Sequence, residues 1–235
     1  MQSTRGRLDT TSIAGSAVFS ALAILLAGAS QALGLNFPLI PYLQFDVGEV
    51  AIILAFFIFG PVPALVSSVV EFAGLMVFGQ AIPVGPLLKL FALVSTVAGL
   101  WLGARIAARG GATLSRLTGW STAMGCLLRA AVMTVPNFYL IAFLYGLPAI
   151  EGFLRAPFAA IGVPLTGSDV LVVVLAFTAL FNVVQLVMVM AVSYLVIRVP
   201  AIPRLRLAGR TPWFASMVND GGAPQGKLAD RAPSH

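Results

Sequence analysis

Residues 169–199 read DVLVVVLAFTALFNVVQLVMVMAVSYLVIRV, and no charged residue stands between Asp169 and Arg198. A bilayer core is crossed by about 20 apolar residues in helical form, so this run is long enough to span one. Working back along the chain, similar runs cover residues 13–35, 84–107 and 119–145. Another runs from the turn Gly60-Pro61-Val62-Pro63 to Phe78. A further apolar segment, residues 47–59, is short for a full span and begins at a polar cap. The expected fold class is an all-α membrane protein with six transmembrane helices.

Composition points the same way. The chain has 235 residues, of which 59% are hydrophobic and 9% charged, with a mean hydropathy of +0.99. A soluble surface needs roughly a quarter of charged residues, so the surplus apolar surface must face lipid. The net charge of +6 does not read as a nucleic-acid footprint, because the arginines gather where positive charge fixes membrane orientation. Arg5 and Arg7 precede the first span, Arg105, Arg109 and Arg116 lie between the fourth and fifth, and Arg198, Arg204, Arg206 and Arg210 follow the sixth. Residues 36–48 carry no Lys or Arg, and Arg155 is offset by Glu151 before the last span. The alternation predicts both termini in the cytoplasm. Residues 1–12 then form an N-terminal tail, 13–199 the membrane domain, and 200–235 a disordered cytoplasmic tail rich in Pro, Gly and charge. Arg5, Arg7 and Ala27-Gly28-Ala29 also resemble a cleavable signal, but that apolar run is longer than the usual signal core.

Several chemistries are excluded by absence. Cys126 is the one cysteine and His235 the one histidine, which leaves no intramolecular disulfide, cysteine-based metal cluster or buried imidazole. No G-x-x-x-x-G-K-[ST] or G-x-S-x-G motif occurs, so any energy for transport must come from another subunit. No catalytic set and no metal ligands can be assembled inside the spans.

The polar positions inside the spans carry the remaining information. Glu71, Lys89 and Arg129 are intramembrane charges, which are expensive and usually face a cavity or a partner. Counting from the turn near residues 80–83 at about 1.5 Å per residue, Glu71 and Lys89 lie at similar depth and are expected to pair. Arg129 reads as a residue snorkelling toward the inner face. Asp46 and Glu49 have capping-box spacing for the second helix, within a loop able to fold over a pocket. Asn137 beside Pro136, and Asn182 with Gln185 on one face of the last helix, either bond between helices or recognise a hydrogen-bonding ring. Ala17 and Ala21, like Ala23 and Ala27, have the small-residue spacing of close helix packing, within this chain or against another membrane subunit.

Taken together, these residues resemble the substrate-binding S components of energy-coupling factor (ECF) vitamin transporters, with the closest likeness to the riboflavin-binding members. The strongest stretch is Pro41-Tyr42-Leu43-Gln44-Phe45-Asp46-Val47-Gly48-Glu49-Val50-Ala51, continuing to Phe59-Gly60-Pro61. Pro83-Val84-Gly85, Asn137 with its aromatic neighbours, and Phe181-Asn182 extend it. The resemblance implies a six-helix, N-in/C-in bundle in the cell membrane. It would bind a vitamin beneath the loop after the first helix and would not be an enzyme. No cofactor is implied beyond the transported ligand.

Ala17 and Ala21 would dock on a transmembrane coupling subunit driven by two ATPase subunits. Gln44, Asp46, Lys89, Asn137, Tyr139, Asn182 and Gln185 form the expected ligand-binding set. The riboflavin-binding members usually carry lysine where Gln185 and Glu71 stand and asparagine where Lys89 stands. That charge exchange leaves a flavin or another small vitamin or precursor as the ligand. A stand-alone secondary carrier is the remaining alternative.

Overall fold

The computed structural model describes residues 9–79, 81–163, 169–204 and 211–218. The chain is a helical bundle built from α1 (Thr10–Ala32), α2 (Gly48–Phe59), α3 (Pro61–Phe78), α4 (Val84–Ala108), α5 (Leu114–Tyr139), α6 (Leu147–Ala160), α7 (Asp169–Ile197), α8 (Ala201–Arg204) and α9 (Trp213–Met217). A short antiparallel hairpin, β1 (Asn36–Phe37) and β2 (Ile40–Gln44), joins α1 to α2. Among the described residues, α1, α3, α4, the stretch Leu114–Tyr145 that continues α5, and α7 are long and apolar enough to cross a membrane.

The 12 residues of α2 span only about 18 Å at 1.5 Å per residue. The physical reason is visible at its N-terminus. The segment after the hairpin dips into the bundle, so Asp46 reaches Lys89, in the second turn of α4. Non-helical backbone is tolerated at such depth where it lines a cavity. The break between α2 and α3 falls at Gly60, whose φ of +102° only glycine adopts readily. Pro61 then opens α3, where its missing N–H is no loss.

Small residues set the helix seams. Gly99 and Gly103 of α4 face α5 so closely that a Cβ at Gly103 would lie 2.2 Å from the Trp120 carbonyl oxygen. This four-residue glycine spacing brings backbones together in lipid, and Ser121 Oγ completes the seam by donating to the Leu100 carbonyl at 3.1 Å. On α1, Ala23 and Ala27 are buried and pack where α2 begins; a Cβ on Gly48 would stand 2.5 Å from the Ala23 carbonyl. Ser16 and Ser67 tie α1 to α3, each hydroxyl donating to a main-chain carbonyl across the seam. Ala17 and Ala21 lie on the opposite, exposed face of α1.

Two local expectations are corrected, and one helix is added. Val47, not Asp46, is the N-cap of α2 and makes no side-chain cap bond. Asp46 Oδ1 instead accepts from Gly48 N at 2.6 Å, and Glu49 does not close a capping box because Arg129 holds it. The connection before the last span contains α6, whose Ile150, Leu154 and Phe158 are buried at helical spacing while Arg155 and Glu151 pair on its outer side.

The segment after Pro200 is not structureless where it is described. In α9, Trp213 packs on Phe56 and Phe214 on Phe57, with ring centroids 5.0 and 6.5 Å apart, because the end of α2 leaves aromatic surface to cover. Arg5, Arg7, Arg206, Arg210, His235 and part of the turn at 80–83 lie outside the described residues.

Candidate functional site

A cavity of about 360 Å³ lies beneath the hairpin, among α3, α4, α5 and α7. Its position follows from local structure. Phe37 and Phe45 meet Phe181 of α7 at 5.6 and 5.1 Å, which pulls the hairpin over the bundle. Ser30 at the end of α1 fixes it from the other side, accepting from Gln44 Nε2 through its carbonyl and from Val47 N through its hydroxyl. Buried apolar residues of the hairpin, α6 and α7, including Ile40, Leu154 and Val174, form a cluster distinct from the main core. Partial burial pushes the Tyr42 phenol up to about 12, so this cavity-lining group stays a hydrogen-bond donor.

Two ionic centres border the cavity. In the first, Arg129 holds Glu49 in a two-pronged pair at 2.6 and 2.9 Å. Its Nε donates to Asn182 Oδ1 at 2.9 Å, and Thr96 Oγ1 is 3.4 Å from its Nη1. Arg129 and Glu49 are each 3% exposed. Four helices thus converge on one guanidinium, whose fork matches a carboxylate. The snorkelling expectation for Arg129 is overturned. Fifteen residues separate it from the start of α5 at Leu114, about 22 Å of helix, too far for its side chain to reach that end.

In the second centre, Lys89 Nζ donates to Glu71 Oε1 at 2.5 Å and also to Asp46 Oδ2. Asp46 is a third member that the depth count did not contain. Glu71 is fully buried, and its Oε2 has no hydrogen-bond partner.

The remaining expected residues divide. Gln44, Asp46, Lys89, Asn137 and Asn182 line the cavity. Asn137 Nδ2 donates to the Met133 carbonyl at 2.8 Å, leaving its buried Oδ1 unpartnered. Asn182 is already engaged at both ends, since its Nδ2 donates to the Thr178 carbonyl at 2.9 Å. Gln185 does not line the cavity; its amide bonds Asp46 in both directions, Nε2 to the carbonyl at 2.8 Å and Oε1 from the N–H at 3.4 Å. Tyr139 points away, 59% exposed and stacked on Phe143. Two residues along a helix turn about 200°, so Asn137 and Tyr139 cannot face the same cavity.

Sequence reading missed Arg129 and Glu49 as a central pair, although a signal existed. Ser121, Gly125, Arg129, Met133 and Asn137 recur every four residues and are buried together, so the face assigned to Asn137 was also the face of Arg129.

No protein-family model matches the chain, and no curated protein matches it. Among solved structures it is similar to one described as the S component of a bacterial ECF transporter. That likeness has a TM-score of 0.57 and 22% sequence identity, over 81% of this chain and 95% of the other. At this identity the likeness concerns the path of the chain. The protein has the fold of an ECF transporter S component, with its polar cavity under the hairpin that follows the first helix.

Proposed function

We propose that the chain is the membrane-embedded, high-affinity vitamin-binding subunit of an ECF-type importer in the cell membrane, and not an enzyme. The observation that carries this reading is the hairpin-covered cavity, lined by Asp46, Lys89, Asn137 and Asn182, inside an S-component fold. Its volume lies within the range of small-molecule sites. Six membrane passes, with α2 and its preceding loop together making one, would leave both ends in the cytoplasm and the hairpin outside. The exposed Ala17 and Ala21 of α1 would dock on a transmembrane coupling subunit driven by two ATPase subunits, since small residues permit close approach.

The ligand implied by sequence resemblance is riboflavin or a related flavin. Phe181, the one of the three packed phenylalanines that lines the cavity, supports a ring-bearing molecule. A second reading, another small vitamin or precursor, is favoured by the charges at the cavity, which a neutral flavin leaves unbalanced.

Protein purified gently from rich medium should carry its vitamin, identifiable by mass spectrometry, and a flavin would colour it yellow. Colourless protein that also fails to quench riboflavin fluorescence removes the flavin; the absence of any bound or binding vitamin removes the whole reading. Replacing Ala17 by Trp should abolish uptake in cells while vitamin binding to the purified chain persists. If binding is lost as well, that face of α1 serves the bundle rather than a partner.

A further inference from the structure

We infer, resting on the vitamin-binding reading, that the ligand carries a positive charge and that this charge binds the Asp46 carboxylate. Among the described residues, three carboxylates (Asp46, Glu49 and Glu71) and two cations (Lys89 and Arg129) make up the two ionic centres. Arg129 is matched one to one with Glu49 and is further held by Asn182. The imbalance therefore sits wholly in the other centre, where Lys89 is shared by two carboxylates. Unpaired charge in a low-dielectric site is costly, and the cost is relieved by taking up a proton or by bringing in the opposite charge.

A second observation points the same way. Two buried side chains at this site, Glu71 at 0% and Asn137 at 1% exposure, each have an oxygen with no hydrogen-bond partner. Asn137 lines the cavity, and its bond from Nδ2 to Met133 fixes the oxygen as the free end. Both unsatisfied atoms are acceptors, and of the two only the Asn137 oxygen is on a cavity-lining residue; Glu71 Oε2 lies behind Lys89 and adds to the negative side of that centre. The complementary molecule brings donors and positive charge, as a protonated amine or a cationic ring with an amino substituent does.

The geometry supplies an exchange. Asp46 is held through its backbone by Gln185, so its carboxylate keeps its place without Lys89. A ligand cation takes Asp46, Lys89 remains with Glu71, and each carboxylate then has one cationic partner. Specificity between charged and neutral vitamins is thereby set partly by Glu71, which is wholly buried behind Lys89.

The test uses the full chain purified in detergent, with thiamine (a permanent cation) and pyridoxamine (a protonated amine) as charged probes and riboflavin as the neutral one. At least one charged probe should bind ten times more tightly than riboflavin. Asp46→Asn should weaken that probe tenfold or more. Glu71→Gln should lower the charged-to-neutral affinity ratio at least fivefold, because Lys89 then belongs to Asp46 alone. A purely structural Glu71 would shift both affinities together.

Should Glu71→Gln fail to fold, Lys89→Met gives the converse: freed carboxylates, and tighter binding of the charged probe. Binding of riboflavin but neither cation, or a ratio unmoved by both variants, overturns the charge assignment and leaves the vitamin-binding reading standing. If none of the three probes binds and no vitamin accompanies the protein, both fall.

Discussion

The two ionic centres differ in how fully their charges are matched. Around Arg129 every strong group has a partner: the guanidinium matches Glu49, and Asn182 fills the next position. Around Lys89 one ammonium serves two carboxylates, and a buried oxygen is left over. Members of both centres line the cavity, but the first pair is 3% exposed on both sides, whereas Lys89 and Asp46 are each 15% exposed. A closed arrangement rigidifies; an open one has capacity for another charge. Polar networks favour a unique structure when fully satisfied, so under the proposed vitamin-binding role stability rests chiefly on Arg129 and recognition chiefly on Lys89 and Asp46.

Breaking the closed centre should produce the largest effect. Arg129→Met strands the Glu49 carboxylate among four helices, and removing one member of a buried pair costs about 3–5 kcal/mol. Thermal unfolding in detergent should show a large drop in midpoint, and an unchanged midpoint would contradict the division of roles. Asp46→Asn should cost less, about 1–3 kcal/mol for one weakened interaction, because the buried Lys89–Glu71 pair survives it. A loss equal to that of Arg129→Met would mean that both centres are structural.

Two smaller effects sharpen the contrast. Asn137→Ala removes a free acceptor at the cavity wall. Ligand affinity should fall about tenfold, or about 1.4 kcal/mol, with the unfolding midpoint of the empty protein little changed. Titration of both proteins checks this, and equal affinities would place Asn137 outside recognition. Gln185→Ala loosens the backbone of the Asp46 segment without touching the cavity. A loss of about 1 kcal/mol in affinity, expressed as faster ligand release in stopped-flow measurements, is expected. Unaltered release would leave the hairpin held by its aromatic contacts alone.

Much of the bundle was legible from hydropathy. The expected last span, residues 169–199, became α7, Asp169–Ile197, because a run of that length without charge admits few alternatives in water or lipid. The depth count placed Glu71 and Lys89 together correctly because a tight connection fixes the register of two antiparallel helices. Asn137 and Tyr139 show where such reading fails. Both are polar and sit on one proline-marked segment, yet helical rotation sends one to the cavity and the other outward. The hairpin and α6 were hidden because each is too short to span a bilayer and is interrupted by proline, and their apolar residues pack mainly on each other and on α7, a contact that no local pattern announces.

The order of apolar runs and the rarity of charge determined by themselves that the chain is a helical bundle suited to a membrane, since an uncharged segment of that length has to be buried. Only the tertiary structure decided which carboxylate each cation serves. Arg129 and Glu49 stand eighty residues apart in sequence, and their meeting depends on how deeply the loop before α2 sinks between the helices. Depth and rotation are products of packing, and packing matched one cation to a single carboxylate and left the other shared between two.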